Sequence, residues 1–245
     1  MRLSNKIAVV TGGSRGIGQA VSELFVQEGA TVIIWDLLEA GETVAEGLRA
    51  KGGQAEFVKI SVTDAEEVNK QMQAVVDKYG RIDILINNAG ITRDRTLQKM
   101  TDEEWKLVID VNLTGVFNST RAVSSYMRAA GYGRIVSTAS NVGIRGNFGQ
   151  TNYVATKAGI IGMTKTWALE LGKYGITVNS IAPGYTVTSM TDKIPNHVAQ
   201  EITKSIPVRK LAKPIDIAYG YVYLASDEAS FVSGICLPID GGTSR

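Results

Sequence analysis

The apolar run Ile7-Ala8-Val9-Val10 stops at Thr11-Gly12-Gly13, and from Gly16 onward apolar residues recur at helical spacing, at Ile17, Val21, Leu24 and Phe25. This pattern predicts a strand, a tight turn and a helix. It then repeats, with strands predicted over 31–36, 55–62 and 82–87 and helices over 42–51 and 64–79. Thr101-Asp102-Glu103-Glu104 is a capping box, in which hydroxyl and carboxylate each serve a backbone donor, and it opens a helix predicted to run to about Arg128. Strands at 134–138, 177–182 and 235–239, with helices at 152–173 and from Pro214, complete the alternation. Apolar strands alternating with amphipathic helices predict a parallel sheet covered on both faces. The expected fold is therefore α/β, a single-domain Rossmann fold over 1–245 with a doubly wound seven-stranded sheet. Between Pro183 and Pro214 the pattern loosens, which suggests a substrate lid over about 186–213 and no domain boundary.

At 245 residues, 44% hydrophobic and 20% charged, the chain suits one large core. The single Cys236 and single His197 exclude a disulfide framework and a Cys/His metal site, so catalysis must use other side chains. Cys236, between Ile235 and Leu237, is expected to be a buried structural thiol, and His197 to be structural or substrate-facing. A net charge of +2 without a dense basic block argues against nucleic acid or anionic lipid as a partner. The first residues carry no signal-peptide core, and no apolar run reaches the ~20 residues that span a bilayer. A soluble, cytoplasmic protein is expected.

Gly12, Ser14, Arg15, Gly16, Ile17 and Gly18 lie between the first strand and the first helix. There, glycines let a backbone approach a pyrophosphate at a helix N-terminus. Asp36 ends the second strand, where a carboxylate can accept both hydroxyls of an adenosine ribose and would repel a 2′-phosphate. That favours NAD(H) over NADP(H). Against it stands Arg15, a guanidinium suited to a phosphate.

Tyr153 and Lys157 are four residues apart, hence on one face of their helix. Reducing a ketone with a nicotinamide needs a proton donor for the nascent alkoxide, and an adjacent cation can lower a phenol's pKa by about 1–3 units towards that task.

With these residues in view, the chain resembles the short-chain dehydrogenase/reductase family over essentially its whole length. The motifs that carry the resemblance are the glycine turn, Asn87-Asn88-Ala89-Gly90, Asn112, Ser140, Tyr153 with Lys157, and Pro183-Gly184. The resemblance implies that Tyr153 donates the proton, Ser140 hydrogen-bonds the substrate carbonyl, Lys157 tunes the phenol and binds ribose, and Asn112 holds a relay water. Two hydroxyls converging on one oxygen also agree with the logic of an oxyanion site. It further implies that Asn88, Ala89 and Gly90 wall the cofactor and that Pro183, Gly184, Thr186 and Thr188 line the nicotinamide side. Ser61 and Val62 stand where the family often has an acidic residue beside the adenine, a contact the main chain of Val62 could still make.

Within the family, the stretches Ile91-Thr92-Arg93-Asp94 and Phe148-Gly149-Gln150-Thr151-Asn152 look most like reductases of 3-oxoacyl thioesters, linked to coenzyme A or to a carrier protein. Gln150 joins Ser140 and Tyr153 as an expected substrate contact. An acidic acyl carrier protein would need basic residues near the site, and the candidates are Arg128, Arg134 and Lys173, while Gly131 and Tyr174 fall where carrier-linked relatives tend to place Arg. An NAD-linked dehydrogenase of another secondary alcohol or sugar alcohol, and a non-catalytic nicotinamide sensor, are the alternatives. The two long helices resemble those through which family members form homotetramers.

Overall fold

The computed structural model describes residues 1–188 and 196–244. Among them, seven strands form one parallel sheet: β1 (Ile7–Thr11), β2 (Thr31–Asp36), β3 (Gln54–Lys59), β4 (Ile84–Asn87), β5 (Gly133–Thr138), β6 (Ile176–Pro183) and β7 (Cys236–Ile239). The helices between them are α1 (Gly16–Gln27), α2 (Ala40–Ala50), α3 (Ala65–Tyr79), α4 (Asp102–Ile109), α5 (Gly115–Ala130), α6 (Val142–Arg145), α7 (Thr151–Leu171), α8 (Asn196–Ser205) and α9 (Pro214–Ala225). Strand order is β3-β2-β1-β4-β5-β6-β7, so the winding reverses between β1 and β4. The carboxyl ends of these two strands, Thr11 and Asn87, pair directly and mark the crevice where doubly wound sheets bind ligands.

Both faces of the sheet are buried because successive strand residues point to opposite sides. Ala8, Val10, Val32, Ile34 and Ile86 meet Val21 and Phe25 of α1, Leu48 of α2, and Ile217 and Tyr221 of α9. Val9, Ile33, Trp35, Leu85 and Ile135 meet Val68 and Met72 of α3, Val123 and Met127 of α5, and Leu171 of α7. The caps are those the side chains dictate: the Asp64 carboxylate accepts from Glu67 N at 3.0 Å, and the Thr101–Glu104 box is closed in both directions.

Three elements depart from the expected pattern. The helix predicted from Thr101 to Arg128 is broken by one π-helical turn at Asp110–Thr114, between α4 and α5. The short helix α6 follows β5, and α8 lies inside the stretch expected to be a lid. Positions 189–195 of that stretch lie outside the described residues. His197 is exposed on α8, and Cys236 is half-buried rather than buried, with burial raising its thiol pKa. Among the described residues, no helix is long and apolar enough to cross a membrane.

Candidate active site

The site is assembled at the carboxyl ends of the strands. Thr11 closes β1, and its hydroxyl accepts from the main-chain N–H groups of Asn88 and Ala89 at 3.0 and 3.1 Å. The turn after it passes so close to the fourth strand that a side chain on Gly12, at φ +65°, would stand 2.7 Å from Ala89 Cα. A Cβ on Gly18 would stand 2.1 Å from the Gly12 carbonyl oxygen. Gly16, at φ +57°, faces Thr188 across 3.3 Å to where its Cβ would lie. Helix α1 begins without a side-chain cap and without an acidic residue in its first turn, so its leading N–H groups suit an anion. The cradle that a Cβ would fill and the uncapped helix start fit a dinucleotide pyrophosphate. Ile17 anchors this turn against the core.

Around the turn, the Asp36 carboxylate accepts Ser14 N–H at 3.1 Å through one oxygen and Leu38 N–H at 3.1 Å through the other. Ser14, buried, donates its hydroxyl to the Leu38 carbonyl. Asp36 therefore fastens the end of β2 to the glycine turn. Arg15 is exposed, and its guanidinium has no side-chain partner among the described residues. At the expected adenine wall, Ser61 shares a hydrogen bond with Thr63, and the Val62 carbonyl already accepts from Asn118 Nδ2 at 3.1 Å.

Asn88 Nδ2 donates to the carbonyls of Gly12 and Thr11, at 3.0 and 3.3 Å, locking β4 to the turn. A Cβ on Gly90 would stand 3.4 Å from Asn112 Oδ1 and 3.7 Å from Lys157 Nζ, so these three positions share one corner. Asn112, fully buried in the π turn, uses its amide on the main chain of Ile91: Oδ1 accepts from its N–H and Nδ2 donates to its carbonyl, both at 2.9 Å. The side chain thus pins the segment after β4.

Tyr153 and Lys157 project from the first two turns of α7, and Ser140 follows β5. The Ser140 hydroxyl donates to Asn141 Oδ1 at 3.5 Å, and burial pushes the Tyr153 phenol up to about 12 against the lowering influence of Ser140 beside it. Lys157 Nζ donates to the Thr138 carbonyl at 2.6 Å and lies 5.4 Å from the centre of the Tyr153 ring, while burial pushes it down to about 8. Acidification of Tyr153 by Lys157, expected from the spacing, is not what this arrangement gives: desolvation of the phenol outweighs its surroundings.

The start of α7 is held by residues the motif reading undervalued. Asn152 Nδ2 donates to the carbonyls of Arg93 and Glu104, and its Oδ1 accepts from Tyr153 N–H at 2.7 Å. Gln150 Nε2 donates to Asp94 at 3.0 Å, and its Oε1 accepts from Asn147, so Gln150 ties two loops of the rim together. On the far side, Pro183 ends β6, Gly184 N–H donates to Ile239, and the Thr186 hydroxyl donates to the Gly184 carbonyl at 3.0 Å. Gly184 is required there because its Cβ would stand 2.7 Å from Asp240 Cα. A cavity of about 190 Å³ opens beside it, between Tyr185, Ile206, Val208 and Asp240.

Of the basic residues considered for docking, Arg134 is buried and bonded to the carbonyls of Ser226 and Gly133 and to Asp227, which removes it from any surface role. Arg128 instead lies 4.4 Å over the Tyr174 ring and donates to its hydroxyl, with Lys173 5.1 Å from the same ring. Cations therefore stand beside Tyr174 without an arginine at 131 or 174.

Comparison with known proteins places this geometry. A family model described as enoyl-(acyl carrier protein) reductase matches residues 12–244. The 3-oxoacyl-(acyl-carrier-protein) reductase FabG of Thermotoga maritima is 48% identical over 99% of both chains, and those of Chlamydia muridarum and Vibrio harveyi are 44% and 43% identical, over 98% and 99% of this chain and 98% of each relative. Among solved structures, levodione reductase superposes with a TM-score of 0.95 at 34% identity, covering 99% of each chain. The similarity overturns the expected preference for NAD(H), since reductases of the FabG kind are NADPH-dependent. At the turn, each oxygen of Asp36 accepts one main-chain N–H, and Arg15 stands exposed with no side-chain partner among the described residues.

Proposed function

The chain belongs to the short-chain dehydrogenase/reductase family, NAD(P)-dependent oxidoreductases acting on C=O and CH–OH groups, and from that premise we propose that it reduces the 3-carbonyl of a 3-oxoacyl thioester. The observation that carries this reading is Tyr153 and Lys157 one turn apart on α7, the ammonium 5.4 Å from the centre of the ring, with Ser140 beside the phenol after β5. Reducing a carbonyl leaves an alkoxide, and two hydroxyls aimed at one oxygen are what that charge needs. When bound, the nicotinamide cofactor supplies the hydride. The glycine turn, Arg15 and the start of α1 hold its phosphates, and Asn88, Gly90, Pro183, Gly184, Thr186 and Thr188 wall its nicotinamide half.

Tyr153, a phenol whose burial raises its pKa further above neutral, gives its proton to the substrate oxygen, and Ser140 donates a hydrogen bond to that same oxygen. Lys157, with its pKa pushed down to about 8, is still largely cationic at pH 7 and holds its charge 5.4 Å from the centre of the Tyr153 ring. Asn112, by fixing Ile91, keeps the wall of this pocket in place.

The thioester assignment follows the relatives: the FabG chains are 41–48% identical, against 34% for levodione reductase. Coenzyme A and carrier-protein thioesters share the reacting group, and the cations around Tyr174 stand at the amino ends of β5 and β6, away from the strand ends that carry the site. Trp105 and Leu107 of α4, Phe117 of α5 and Leu169 of α7 remain exposed, which supports assembly of these helices into a homotetramer.

The test is cofactor oxidation with acetoacetyl-CoA and with a 3-oxoacyl carrier protein as acceptors, wild type beside Tyr153→Phe. We expect turnover that falls by at least about 100-fold in the variant, the scale of a lost general acid, with cofactor binding retained. Wild-type protein that binds cofactor but reduces neither thioester refutes the substrate; equal rates in the variant refute the proton donor.

A further inference from the structure

The hydroxyl of Tyr221 is the least expected polar group near the site. Tyr221 is fully buried on α9 among Ile217, Val222 and Leu224, where a phenylalanine would fill the same space without a polar atom to satisfy. Its oxygen lies 2.6 Å from Thr138 Oγ1. Thr138 ends β5, and it reaches both faces of the sheet: its carbonyl accepts Lys157 Nζ at 2.6 Å, and its hydroxyl lies 3.3 Å from Asn88 Oδ1.

The direction of these bonds is determined. Asn88 Nδ2 faces two carbonyls, Thr11 and Gly12, which can only accept. Asn88 Oδ1 is therefore the acceptor on the other side, so the one hydroxyl proton of Thr138 goes to it. Tyr221 must then donate to Thr138. The phenol's own burial raises its pKa, which keeps that proton in place.

We propose that Tyr221 is a positioning residue of the dinucleotide site: its phenol starts a one-way chain of hydrogen bonds, through Thr138 and Asn88, that holds the glycine turn and fixes the strand end anchoring Lys157. The proposal rests on the dinucleotide part of the reading above and not on the thioester. Packing alone would need the ring and not the hydroxyl.

The experiment is a fluorescence titration of NADPH into wild type, Tyr221→Phe, Thr138→Val, Thr138→Ser and the Tyr221→Phe/Thr138→Val double variant, with no acyl substrate, beside thermal melts of each. The expected result is a dissociation constant raised about three- to tenfold in Tyr221→Phe and in Thr138→Val. The double variant should be no weaker than the worse single one, because both remove the same chain. Thr138→Ser, which keeps the hydroxyl, should bind within about twofold of wild type. Tyr221→Phe that melts lower but binds NADPH unchanged overturns the proposal, as do single effects that multiply. Should Tyr221→Phe fail to fold, the threonine pair decides: weaker binding in Val and not in Ser supports the chain, and equal binding overturns it. Wild type that binds neither NADPH nor NADH, titrated in a parallel run, overturns the dinucleotide reading and this proposal with it, whereas binding without thioester turnover overturns only the substrate.

Discussion

Gly18→Ala is the sharpest test of the glycine turn. The added methyl would lie 2.1 Å from the Gly12 carbonyl oxygen and 2.5 Å from Asn88 Nδ2. Either contact falls at least about 0.5–1 Å short of a relaxed one, so α1 or the Gly12 peptide must move. Neither is free to do so: Gly12 N–H donates to the Trp35 carbonyl at 2.7 Å, and its own carbonyl is held by Asn88 at 3.0 Å. Overpacking of this kind costs about 1–3 kcal/mol. At about 2–4 °C per kcal/mol for a domain of this size, the melting midpoint should fall by roughly 2–12 °C. The peptide that moves also lines the pyrophosphate cradle, and we expect NADPH to bind at least about tenfold more weakly, a loss of about 1.4 kcal/mol. Gly47→Ala is the control. Gly47 lies exposed within α2, where a Cβ would meet nothing within 4 Å, and alanine there should raise the midpoint by about 2–4 °C through its better helix propensity of about 1 kcal/mol. Calorimetry and a fluorescence titration read both variants. A Gly18→Ala protein that melts with wild type and binds NADPH equally would show that the turn does not form the cradle.

Arg15→Ala should weaken NADPH binding more than NADH binding while leaving the melting midpoint unmoved, since its exposed side chain has no partner among the described residues; equal effects on both cofactors would remove Arg15 as a 2′-phosphate ligand. Asn112→Ala removes two buried hydrogen bonds to Ile91 and should lower stability by about 2–3 kcal/mol in urea unfolding, and a loss below about 0.5 kcal/mol would contradict its pinning role. The pH dependence of stability has a sign fixed by Lys157, whose folded value of about 8 lies below the ordinary 10.5. The unfolded chain binds the extra proton between those values, so stability rises with pH through that window. Lys157→Met should flatten the rise in melting midpoint between about pH 8 and 10, and parallel profiles for the two proteins would refute the assignment.

What the sequence discloses and what it hides follow from how each residue earns its place. Strands buried on both faces are rich in apolar residues, so β1, β2 and β4 stand out as runs, while β5 and β6 carry buried polar residues such as Arg134, Asn179 and Ser180 among theirs, and glycine is the residue that suits φ +65° at Gly12 or a neighbour 2.1 Å away at Gly18. The π turn at Asp110–Thr114 leaves no such trace, because one extra residue in a helix shifts its apolar face without interrupting it. Side chains that bond to distant main chain are equally hidden: Asn112 is recognisable by its motif, but not its grip on Ile91, and Asp36 by its place at the end of β2, but not the N–H groups of Ser14 and Leu38 that it accepts after folding. The same limit explains the reversed shift at Tyr153. Spacing along α7 places a cation one turn away, yet the phenol's pKa depends on how much water the closed strand ends leave around it, and the Lys157 charge is directed to the Thr138 carbonyl. That carbonyl belongs to a residue whose hydroxyl is in turn oriented from α9, 83 positions along the chain. The motif residues therefore point to a reaction class, while the polar residues behind them, Thr138, Asn152 and Tyr221, make hydrogen bonds that no motif discloses.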